Sequence, residues 1–160
     1  MAEFIAFTYK TFLSFQFSKR WMVAISYGVL CHVLFTISVL AMLVSMFFGM
    51  SQSFGKVPHP YSHFANLLLI IQFPLAHSFL LSSVGKKYLL YFSPKNYSLS
   101  LAPTVFVVLA SIQLFILFFF WTPTKIIIWQ ASGTSFFLMC SLYSLSWLLL
   151  IWSTIDAGVE

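Results

Sequence analysis

Apolar residues along this chain come in long blocks separated by short polar stretches, and no run of about ten residues alternates in the manner of a barrel strand. A window of about 19 residues finds four blocks, at about Met22–Phe48, Phe64–Val84, Leu101–Trp121 and Ile127–Trp152. About 20 helical residues cross a hydrocarbon core of roughly 30 Å, so blocks of this length belong in lipid. There each backbone N–H and C=O must find its partner within its own segment, and the blocks therefore read as helices. The predicted fold is all-α, a polytopic membrane protein with four transmembrane helices. The first block is too long for the roughly 7–15-residue core of a secretory signal, and no small-x-small cleavage site follows, so it reads as a retained anchor.

The polar stretches divide the rest. Residues 1–21 mix phenylalanines with Lys10, Lys19 and Arg20 and read as a segment at headgroup level, leaving residues 22–160 as the four-helix domain. The loop "GMSQSFGKVPHPYSH" sets His59 and His63 four apart, a spacing that suits a metal on a helix, but Pro58 and Pro60 oppose a helix and leave two solvated loop histidines. "GKKYLLYFSPKNYSLSLAP" reads as a loop of interfacial tyrosines and lysines, with Pro103 in the first turn of the third helix. The turn around Pro123, bracketed by Trp121 and Trp129, predicts that the third and fourth helices form a tight antiparallel hairpin.

Composition sharpens this reading: 61% of the 160 residues are hydrophobic and 7% charged, beyond what a soluble domain of this size can bury. The net charge of +5 is unevenly distributed. Lys10, Lys19 and Arg20 precede the first helix and Lys86, Lys87 and Lys95 separate the second from the third, whereas the other two loops hold only Lys56 and Lys125. The positive-inside rule then puts both the N- and C-termini in the cytoplasm, in a membrane expected to be the bacterial inner membrane. The basic residues report topology and anionic lipid, with no nucleic-acid partner implied. Cys31 and Cys140 both fall within spans, without CxxC spacing, and read as small packing residues.

Polar side chains within the spans are the remaining candidates, because polar groups in lipid need partners. At 1.5 Å per residue, Gln72 lies about 20 Å from the basic end of its helix and Gln113 about 20 Å from the start of its own, so the two amides are expected to bond each other. His77 and His32 give a possible second layer, at about 12 and 16 Å. Ala24, Gly28 and Cys31 form a stripe of small residues beside His32 where another helix could approach. His77 points about 140° away from Gln72 on an ideal helix. Pro74 removes an N–H from the helix, and Ser78 is placed to back-bond and absorb part of that defect. No Ser–His–Asp set, paired carboxylates, phosphate loop or dinucleotide fingerprint is present, so no catalytic, cofactor or metal residue is assigned.

"NLLLIIQFPLAHSFLLSSVGKKYL", "LAPTVFVVLASIQLFILFFFWTP" and "IIIW" together resemble the N-terminal membrane half of the NnrU and methanethiol S-methyltransferase-like family, within the isoprenylcysteine carboxyl methyltransferase-like integral membrane proteins. The matching positions are His77 and Ser78, then Lys86, Trp121, Pro123 and Trp129. Where the family carries an arginine-serine element before the third helix, this sequence has "PKNYSLS". The resemblance implies that a complete member binds S-adenosylmethionine through C-terminal helices and a cytoplasmic tail, a segment expected to lie outside these 160 residues. This chain alone is then expected to bind no cofactor.

Two functions remain open on these residues. One is the membrane-embedded half of a methyltransferase-like protein, with a C-terminal half, a separate subunit or a second copy of the chain as partner, and His77 facing that missing partner. The other is a non-enzymatic four-helix assembly or interaction subunit, or a small-molecule carrier.

Overall fold

In a computed structural model the described residues are 19–126 and 130–157. The interfacial reading of residues 1–21 thus falls almost wholly outside them, as does Trp129. Among the described residues five α-helices follow in order: α1 Lys19–Phe47, α2 Tyr61–Leu81, α3 Ser83–Tyr91, α4 Ser98–Phe119 and α5 Thr134–Ala157, with a 3-10 turn at Lys95–Tyr97 before α4. No strand occurs among the described residues. Four helical stretches, Trp21–Phe47, Tyr61–Leu81, Lys95–Phe119 and Thr134–Ser153, are long and apolar enough to cross a membrane. Most of their large side chains face outward, as a lipid solvent requires. This is an integral membrane protein.

Packing centres on α4, which meets α1, α2 and α3. Along α1 a run of covered positions, Cys31, Leu34, Ser38, Ala41 and Ser45, alternates steps of three and four, with Val39, Met42 and Leu43 partly covered beside it. That spacing places one narrow seam against α4, as in left-handed helix pairs. Ser38, at 1% exposure, lies deepest in the seam. Its hydroxyl is 2.7 Å from both its own helix's Leu34 carbonyl and the Ser111 carbonyl of α4. The close approach expected at Gly28 does not occur, for nothing lies within 4 Å of the place a Cβ would take there. Ser38 carries the contact in its place, combining small size with a donor for the Ser111 carbonyl across the interface.

Helix ends follow local chemistry. At the end of α1, Gly49 has φ +58° and Met50 donates to the Ser45 carbonyl at 2.7 Å while Gly49 donates to that of Met46 at 3.1 Å. This is a Schellman closure, which needs the left-handed residue that glycine supplies. The second apolar block does not run on to Val84: Ser82 turns to an extended conformation (ψ 164°) and its hydroxyl accepts from Gly85 N–H at 3.1 Å, starting α3. Part of the stretch read as a loop is therefore a helix, because Ser82 serves as an N-cap. Ser98 begins α4 one turn earlier than expected, so Pro103 sits inside that helix rather than in its first turn.

The hairpin of the third and fourth helices is also corrected. Residues 120–126 leave α4 and run beside the loop after α1, with Phe54 N–H donating to Phe119 O at 2.9 Å and Gly55 N–H to Trp121 O at 3.0 Å. Lys125 and Gly133 take positive φ, and α5 starts only at Thr134. It does not pack along α4; Tyr143 ties it to α1 through a 2.7 Å bond to the Leu43 carbonyl and a ring contact with Phe47. Backbone pairing with the first loop uses the residues that a tight turn would have needed.

Candidate functional site

Helices α2 and α4 run antiparallel, and three rungs join them. At one end Asn66 and Thr122, both buried, exchange two hydrogen bonds: Asn66 Nδ2 donates to Thr122 O at 2.8 Å, and Thr122 N–H donates to Asn66 Oδ1 at 2.9 Å. In the middle, Gln72 Nε2 donates to the main-chain carbonyl of Gln113 at 3.2 Å. Toward the other end the His77 ring meets Phe106 edge-on, with centroids 4.9 Å apart, and also lies 5.7 Å from Phe73.

The rungs revise several expectations. Gln72 reaches Gln113, but the bond goes to backbone rather than to the side-chain amide, and the Gln113 Oε1 is buried without a partner. His77, half-buried, packs against Phe106 of α4 within this chain. Rotations of about 140° still leave two side chains within reach of one neighbour when they straddle the line of contact. Its Nδ1 is buried and unpartnered. His32 belongs to no shared layer with it, being exposed and hydrogen bonded to the Gly28 carbonyl of its own helix at 2.8 Å. Ser78 is exposed and its hydroxyl forms no back-bond. His59 and His63 meet edge to face at 5.5 Å, both exposed.

Asn66 escaped the sequence reading, although it too is a polar side chain inside a predicted span. Its partner could not be read, because Thr122 sits just past a helix end whose backbone groups look unremarkable in sequence.

Beyond His77, at the end bearing Lys86, Lys87 and Lys95, α2, α3 and α4 converge on a small core of Leu80, Leu89 and Val105, with Tyr27 and Phe106 against it. Tyr27 also donates to the Phe92 carbonyl at 3.2 Å, fastening the end of α3 to α1. Gly85 permits this: a Cβ there would fall on the backbone of Phe79 and Leu80. Beside the core an apolar groove of about 380 Å³ opens between α3 and α4, walled by Leu81, Leu89, Pro103 and Phe106, with Lys86 on its lining. Phe106 thus touches both His77 and the groove. The arrangement suits a small apolar molecule entering from the bilayer, held by dispersion and burial.

Over 89 residues the chain is 33% identical to methanethiol S-methyltransferase 2 of Bradyrhizobium diazoefficiens. The matched stretch is 56% of this chain and 33% of that protein, so the chain spans about one third of the curated relative's length. No family model and no solved structure matches it. The similarity supports a methyltransferase-like membrane protein.

S-adenosylmethionine, implied by the family resemblance, presents ribose hydroxyls, a carboxylate, an ammonium and a sulfonium. The groove offers Lys86 among apolar walls, and the one described acid, Asp156, is an exposed residue of α5. These residues do not fit that cofactor.

Proposed function

We propose that this chain is the membrane-embedded portion of a methyltransferase-like integral membrane protein, incomplete for catalysis, that holds an apolar methyl acceptor in the groove between α3 and α4. The observation that carries this reading is the 33% identity to a methanethiol S-methyltransferase, which falls on a chain whose polar residues mostly serve helix packing. The acceptor is a small apolar thiol of the kind in that relative's name, and the S-adenosylmethionine site is supplied by other residues. The skew of Lys86, Lys87 and Lys95 supports a cytoplasmic setting for the groove, with the N- and C-termini on that side of a bacterial inner membrane.

The test uses native membranes with and without the chain, supplied with methyl-labelled S-adenosylmethionine and methanethiol. Labelled dimethyl sulfide is expected only when the chain is present, and Phe106→Trp, which fills the groove, is expected to cut its formation at least ten-fold while the protein level holds. Equal formation in membranes lacking the chain overturns the proposal. The purified chain alone is expected to form none.

A further inference from the structure

We propose that the outward stripe of α3 is a docking site for an anionic phospholipid, separate from the groove assigned to the methyl acceptor and independent of that assignment. Gly85 and Leu89 are buried against the bundle and fix which way α3 faces. Val84, Lys87, Tyr88 and Tyr91 then recur at helical spacing on the outer side, where with Phe92 they wall a second groove of about 500 Å³. Lys86, one residue away, lines the first groove on the other flank. Consecutive lysines thus serve different surfaces.

Charge and position identify the occupant. The groove lies where α2 ends at Leu81 and before α4 begins at Ser98, at the level of the headgroups if these helices span the bilayer. Lys87 is an exposed cation, and no carboxylate occurs on α2, α3 or α4 to compete for it. A phosphodiester matches it, the phenols of Tyr88 and Tyr91 can donate to phosphate or ester oxygens, and Val84 and Phe92 offer apolar wall to the first methylenes of an acyl chain. A zwitterionic lipid brings its own cation and loses most of that attraction.

The full chain, purified in detergent with an equimolar mixture of phosphatidylglycerol and phosphatidylcholine, is examined by native mass spectrometry for retained lipid. Phosphatidylglycerol is expected to be retained preferentially. Lys87→Gln is expected to reduce the preference about five-fold, the worth of one lysine at an anionic surface, while Lys87→Arg preserves it. Lys86→Gln and Lys125→Gln, which remove the same charge elsewhere, should each leave it within two-fold. A wild-type protein without preference overturns the proposal. So does an equal loss from all three glutamine variants, which would report net charge alone, or full displacement by millimolar inorganic phosphate, which would report a free-anion site.

Discussion

Asn66 holds both the N–H and the C=O of Thr122, at 2.9 and 2.8 Å, so one side chain on α2 satisfies the main chain just beyond α4. Replacing it by alanine strands two buried backbone groups, each costing about 1–3 kcal/mol. Asn66→Ala is therefore expected to lower the thermal unfolding midpoint in detergent markedly. Thr122→Val keeps both main-chain partners and loses only a long 3.5 Å bond from Val57 N–H, so it should cost under about 1 kcal/mol. Comparable losses in the two variants would remove the main-chain role given to Asn66.

Gly55 and Gly28 should behave oppositely when changed to alanine. A Cβ on Gly55 would fall on the carbonyl oxygens of Phe120 and Trp121 and on the Thr122 hydroxyl, parting the loop from the end of α4. At Gly28 the space is open, and alanine within a helix is favoured over glycine by about 1 kcal/mol. Thermal unfolding should show Gly55→Ala destabilised and Gly28→Ala equal to or more stable than the parent.

The glutamine rung is asymmetric. Gln72→Met removes the donor and is expected to cost about 0.6–2 kcal/mol. Gln113→Met keeps the accepting carbonyl and discards an unpartnered buried oxygen, so it should be neutral or stabilising. A reversed order in denaturant unfolding would mean that the Gln113 amide, not its backbone, is the partner.

Block length and apolarity made the four spans legible, and the depth count along α2 and α4 brought Gln72 and Gln113 to one level. The same count could not decide which atom of Gln113 would accept, since that depends on helix rotation and separation. The second block runs through Ser82 in sequence because a serine in an apolar run looks like a tolerated residue; only its extended ψ makes it a cap. Ser38 and Ser45 on α1 were not read as a seam, because Gly28 drew the expectation of close approach, glycine being the smaller residue. The connector after α4 was misjudged for a different reason. Its hydrogen bonds go to Phe54 and Gly55, far away in sequence, and no local pattern announces a pairing of that separation.

The backbone pairing of Phe54 and Gly55 with the end of α4 makes the bundle unlike at its two ends. Main-chain hydrogen bonds strap the loop after α1 to the end of α4, and the groove between α3 and α4 lies at the opposite end. The two ends of the bundle therefore differ in stiffness: main-chain hydrogen bonds tie one, whereas the other is held by side-chain packing around Leu80, Leu89 and Val105.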